Sequence, residues 1–233
     1  MPNETCTCCG TVESQRTGTN SETEPQTEGD SGTGAAPEGR ASSSADRWLG
    51  DSSVTEATLP DDVRSAMERF FGDASIDSLE DWTSELRRRT GGALEVADLC
   101  HADGETDHWG ELDGERYYFR CFYDTVALAE LTSEAVEIHT VSPEGAAIEA
   151  RTTGDGELAT TPTTAVVSFG TAVDESRPPT TAPTLEDAYE AICPTVRAFP
   201  TRRAYERWAT KTPVATVGMP LSTATAVAIE LVE

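Results

Sequence analysis

Positive charge is scarce in this 233-residue chain, which carries 17 Lys and Arg against 42 Asp and Glu, for a formal net charge of -25. A surface so charged repels nucleic-acid phosphates and anionic lipid, which discounts both as partners. Long apolar runs are also missing. No stretch approaches the ~18 apolar residues needed to span a bilayer. The first residues, Met1-Pro2-Asn3-Glu4, have neither the basic region nor the apolar stretch of a secretory signal. The expected location is therefore the cytoplasm, where thiols stay reduced. The six cysteines are then candidates for metal binding or reactivity before disulfides. Apolar residues make up only 37% of the chain, which places part of it outside any core. There is no phosphate loop, no Ser-His-Asp arrangement and no dinucleotide fingerprint.

The acidic residues are spread along the whole length, with many Thr, Ala and Val and few Lys. This is the composition of a protein from a high-salt cytoplasm, in which carboxylates keep the surface hydrated. Residues 1–53 are Ser, Thr, Gly, Glu and Pro in near-random order, with Val12 and Leu49 almost the only aliphatics. Such a segment cannot bury enough apolar surface to offset its ordering entropy, so it is expected to be a disordered acidic leader. It carries a cysteine cluster, Cys6-Thr7-Cys8-Cys9. That cluster is either incidental or a soft-metal hand-off tail; zinc normally wants four ligands.

Residues 54–92 are expected to form a helical segment. Pro60 with Asp61 and Asp62 starts one helix, Val63, Met67, Phe70 and Phe71 form its apolar stripe, and Gly72 stops it. Ser78 with Asp81 caps a second, which bears Leu79, Trp82 and Leu86 and ends in Arg87-Arg88-Arg89 before Gly91. From residue 93 to 233 a third unit is expected. Leu94 to Cys100 alternates like a strand, and Asp113-Gly114 is a hairpin turn leading into the run Arg116 to Arg120. Asp124 to Leu131 reads as a helix. Val136 to Val141 and Ala146 to Arg151 read as strands about a Ser142-Pro143-Glu144-Gly145 turn. Further strands are expected at Thr164 to Phe169, Val196 to Phe199 and Val214 to Val217, with helices at Leu185 to Cys193, Thr201 to Trp208 and Leu221 to Val232. A Pro-rich loop spans Asp174 to Pro183. The sum is an α+β fold, an antiparallel or mixed sheet with flanking helices.

Chemistry concentrates at Cys121-Phe122-Tyr123-Asp124, where a strand gives way to a helix. A thiol at a helix amino end feels the positive pole of the dipole, which favours thiolate. Asp124, three residues on, comes round to the same side of the first turn. A soft nucleophile or metal ligand would thus stand beside a proton carrier. Alone, C-x-x-D is a weak signal, equally read as a buried small residue followed by a helix-capping Asp.

The run Asp113-Gly114-Glu115-Arg116-Tyr117-Tyr118-Phe119-Arg120-Cys121-Phe122-Tyr123-Asp124-Thr125 resembles the signature of the organomercurial (alkylmercury) lyases. Downstream, Ile192-Cys193-Pro194-Thr195-Val196-Arg197-Ala198-Phe199 resembles that family's second-cysteine segment, and Ala204-Tyr205-Glu206-Arg207-Trp208-Ala209 the helix after it. The resemblance runs from about Glu95 to Val232. It implies that Cys121 and Cys193 bind mercury together as thiolates, the natural ligands of so soft an acid. It further implies that Asp124 relays thiol protons and delivers one to carbon, releasing a hydrocarbon. Hg(II) would stay on the cysteine pair until small cellular thiols or a mercuric reductase accept it. The substrates would be small organomercurials, and no organic cofactor or structural metal is implied. A non-catalytic soft-metal (Hg, Cu or Zn) chaperone of the same fold is the alternative.

Three features depart from the family pattern. The amino-terminal winged-helix-like segment is not recognisable, Thr140 stands where a structural cysteine is expected, and Pro194 follows the second cysteine. Among other marked residues, Cys100-His101 and His108 match no standard zinc spacing. His139 reads as a strand residue with a satisfied hydrogen bond, and Trp109, Tyr117, Phe119, Tyr205 and Trp208 read as core.

Overall fold

Local chemistry sets the first elements as expected. In the computed structural model, which describes residues 47–50, 53–72, 74–92, 94–172 and 183–232, helix α1 (Asp61–Phe71) follows Pro60 and stops at Gly72. Helix α2 (Leu79–Thr90) carries the full Ser78–Asp81 capping box and ends at Gly91 in the left-handed region. The cysteine cluster at Cys6, Cys8 and Cys9 lies outside the described residues, as does the Pro-rich loop apart from Pro183. The last part of the expected leader is folded: Trp48 makes a parallel bridge to Gly218, Leu49 N–H donates to the Gly218 carbonyl at 2.9 Å, and Leu49 is buried.

The expected strand over Leu94 to Cys100 does not form. Its centre is a 3₁₀ turn, Val96–Asp98. The Asp98 carboxylate accepts from the Glu95 N–H at 2.8 Å, so a side chain supplies locally the bond that a strand would take from a neighbour.

Two sheets follow. The first has five strands in the order β2-β1-β3-β4-β5: β1 (Trp109–Leu112), β2 (Glu115–Tyr118), β3 (Val136–Val141), β4 (Ala147–Thr152) and β5 (Leu158–Thr161). The second has three, in the order β7-β6-β8: β6 (Val166–Ala172), β7 (Ala198–Phe199) and β8 (Val214–Pro220). Neighbouring strands are antiparallel throughout, which settles the antiparallel-or-mixed alternative. Four helices accompany the sheets: α3 (Tyr123–Thr132), α4 (Leu185–Ile192), α5 (Arg202–Ala209) and α6 (Ala224–Val232). Strand β5 was not foreseen; Leu158-Ala159-Thr160-Thr161 is too short to show a period.

Segments 54–92 and 93–233 share one core. Phe169 on β6 meets Trp82 of α2 edge-to-face at 4.7 Å and Tyr123 of α3 at 5.6 Å. The buried cluster also joins Met67 and Phe71 of α1 to Val217 of β8 and Val227 and Leu231 of α6. Helix α3 is apolar on nearly all sides, with Tyr123 and Thr125 to Ala129 buried, because it lies between α6 and β3. The Tyr123 hydroxyl donates to the Ala224 carbonyl at 2.8 Å, fixing the start of α3 against α6. No helix among the described residues is long and apolar enough to cross a membrane.

Candidate active site

The β2–α3 junction carries Cys121 and Asp124. Cys121 precedes the N-cap residue Phe122, and Asp124 lies in the first turn of α3. A second piece of chain is laid against this junction. His101 bridges to Phe119, the Ala102 N–H donates to Tyr118 at 2.8 Å, and the Arg120 N–H donates to the Cys100 carbonyl at 3.0 Å. The Cys100 N–H in turn donates to Asp124 Oδ2 at 2.7 Å. Asp124 is thus held from outside its own helix.

Cys193 arrives on a third piece. Thr184 and Asp187 form a capping box that starts α4, and Cys193 is its C-cap and the first residue of a 3₁₀ turn, Cys193–Thr195. Ser168 on β6 anchors this turn. Its hydroxyl donates to the Thr195 carbonyl at 2.6 Å and accepts from the Arg197 N–H at 3.1 Å. The result is a group of three thiols, in which Cys193 interacts with both Cys100 and Cys121. All three are free and buried.

The electrostatics follow from these contacts. Burial pushes the Asp124 carboxyl up to about 6, against the downward pull of the Cys100 N–H. Cys193, interacting first with Cys100 and then with Cys121 and desolvated by burial, is held far above the ordinary thiol range. Cys100 is lowered, chiefly by its interaction with the Cys193 thiol. The Tyr189 hydroxyl is raised, first by burial and then by the surrounding negative charge of Asp124 and the thiolates. A cleft of about 280 Å³ opens here, walled by Cys100, His101, Arg120, Glu186 and Tyr189. Arg120 and Glu186 pair at 3.0 Å on its wall.

The structure therefore brings the three expected residues, Cys121, Asp124 and Cys193, into one connected network, and adds Cys100, which the sequence places at the end of an expected strand, beside His101, and not at this site. The sequence holds little to find it by, since its nearness comes from backbone pairing across the 100–120 loop. A metal site of Cys100, His101 and His108 does not form. His101 Nε2 lies 2.9 Å from the Val96 carbonyl. His108 Nε2 accepts from Arg197 at 3.2 Å, so its Nδ1–H donates to Thr140 Oγ1 at 2.7 Å. Burial and Arg197 push His108 down to about 4, keeping it neutral. Thr140, at the expected cysteine position, thus has its own polar partner. His139 lies 2.7 Å from Glu149 and stacks on Trp109, as a satisfied strand residue should. Among the described residues, no group of three or more His, Cys, Asp or Glu is disposed to hold a metal ion.

Residues 101–233 match the family model described as MerB, alkylmercury lyase. The chain belongs to the alkylmercury lyase family. A solved structure described as the mercury-bound form of MerB2 is similar at 20% identity and a TM-score of 0.44, covering 74% of this chain and 91% of that one. No curated protein matches the chain.

Proposed function

We propose that this protein cleaves the carbon–mercury bond of organomercurials by protonolysis, with Cys121 and Cys193 as mercury ligands and Asp124 as proton relay. In this scheme R–Hg⁺ and two thiols give R–H, a bis-thiolate Hg(II) and one proton. Two Hg–S bonds form, the Hg–C bond breaks with its electron pair on carbon, and no atom changes oxidation state outside that heterolysis. Asp124, charged at neutral pH, takes a thiol proton and passes it to carbon as a general acid. The observation that carries the proposal is the contact of the Cys193 thiol with that of Cys121, in a network that also holds a carboxyl raised to about 6. Small thiols or a mercuric reductase would collect the Hg(II), and the scheme uses no organic cofactor. The acidic composition fits a saline cytoplasm, so assays belong in high salt.

The test is benzene release from phenylmercury in excess thiol. Cys121→Ser, Cys193→Ser and Asp124→Ala each abolish it. Unchanged turnover in Asp124→Ala would remove the proton relay. Stoichiometric mercury binding by the wild type without benzene would favour the soft-metal chaperone, for which a carboxyl beside the thiols has no use.

A further inference from the structure

We infer that Cys100 is a third mercury ligand, which takes the product Hg(II) over from Cys121 by pairing with Cys193 at the wall of the cleft; this rests on the proposed lyase chemistry. Two observations carry it. Cys193 is the thiol that interacts with both of the others, Cys121 and Cys100, and the Cys100 backbone is tied to the same site through its N–H on Asp124 at 2.7 Å. Of the three, Cys100 is the one that lines the cleft. Cys100 also lies one residue before the span that matches the family model, so the match assigns it no role.

The geometry gives the mercury two alternative thiol pairs that share one member. Chemistry at Cys121 and Cys193 leaves Hg(II) between two buried sulfurs. An incoming thiolate can displace one of the first two from the soft metal, as in any exchange between thiolates. In that step an Hg–S bond forms at Cys100 and one breaks at Cys121. The proton given up by the Cys100 thiol is taken by the departing Cys121 thiolate. Nothing is oxidised or reduced. Cys193 holds the metal throughout, so mercury moves outward without being released. The backbone prepares the site: the Cys100 carbonyl is fixed by Arg120 and its N–H by Asp124, so its side chain projects from an anchored residue. The final ligand set is then Cys193 and Cys100, of which Cys100 lines the cleft and meets an incoming thiol, while Cys121 and Asp124 return to their starting state.

The test uses the full chain with Cys6→Ser, Cys8→Ser and Cys9→Ser, so that the amino-terminal thiols do not compete, and mercuric chloride as the probe. Hg(II) is titrated against a competing dithiol into this protein, its Cys121→Ser variant and the Cys121→Ser/Cys100→Ser variant. Cys121→Ser should keep the near-ultraviolet absorption of a bis-thiolate mercury and bind at least ~100-fold more tightly than the double variant, which has one thiol left. Equal affinity in the two overturns the inference. Cys100→Ala gives the same comparison where serine unsettles the buried site. A kinetic arm follows phenylmercury in limiting monothiol. In Cys100→Ser the steady-state rate should fall ~10-fold relative to the first turnover, and excess dithiol should restore it. An unchanged ratio also overturns the inference. If the parent protein releases no benzene, the lyase proposal fails, and the mercury titration still decides the role of Cys100.

Discussion

Replacing Asp124 with Asn separates the cost of its carboxylate from its use. The amide keeps an oxygen for the Cys100 N–H and loses the charge. A carboxyl raised from an ordinary 3.8 to about 6 carries about 3 kcal/mol against its charged form, at roughly 1.4 kcal/mol per pKa unit. The sign follows from proton counts. Between those two values the folded protein keeps a proton that the unfolded chain has given up, so stability falls as pH rises through the window. Above about pH 6 the cost is present in full, and below about pH 4 it is absent. Asp124→Asn has no such dependence. Denaturant unfolding of the two proteins in high salt, from pH 4 to 8, should show the variant gaining about 3 kcal/mol on the wild type across the window, whatever their offset at pH 4. Other titrating groups are common to both and cancel. The lyase activity should vanish in the variant, while the wild-type kcat/KM should decline as pH falls below about 6, where the relay is already protonated. Parallel stability curves for the two proteins would refute the burial argument.

Two further substitutions test the frame that holds the site. Gly170→Ala would drive a methyl group into the backbone of Ala215 on the paired strand β8. It should cost several kcal/mol, on the order of 2–4, or prevent folding, read as a lowered denaturation midpoint or loss of soluble protein. Ser78→Ala removes the hydroxyl that accepts from the Asp81 N–H. It should cost about 1 kcal/mol in denaturant unfolding and leave phenylmercury turnover per folded molecule unchanged.

What was legible in the sequence was mostly local. Asp113 and Gly114 both adopt positive φ, at 52° and 81°, a conformation that the Asp-Gly pair announces on its own. Ser78 and Asp81 satisfy each other within one turn, and so do Thr184 and Asp187. The expectation over Leu94 to Cys100 failed because a period of two says nothing of Asp98 turning back to cap Glu95. Leu49 was assigned to the leader because its surroundings are polar; its partner is the distant Gly218. Cys193 could be named only by resemblance, and Cys100 only in an unrelated spacing with His101 and His108. Cys193 reaches both Cys121 and Cys100 through pairings that no stretch of contiguous residues encodes.

The group of thiols joins three chain segments that only the finished fold brings together. Before that moment the same sulfurs are three separate soft nucleophiles on an open chain. Mercury captured by any two of them would tie off a loop and lock a half-made molecule out of its native topology. For a protein of this family, the compound it handles is thus also a poison of its own assembly. Refolding yield in dilute mercury should collapse unless free thiol is present, whereas the already folded molecule, in which the fold itself brings these sulfurs to one site, should keep its structure at the same dose.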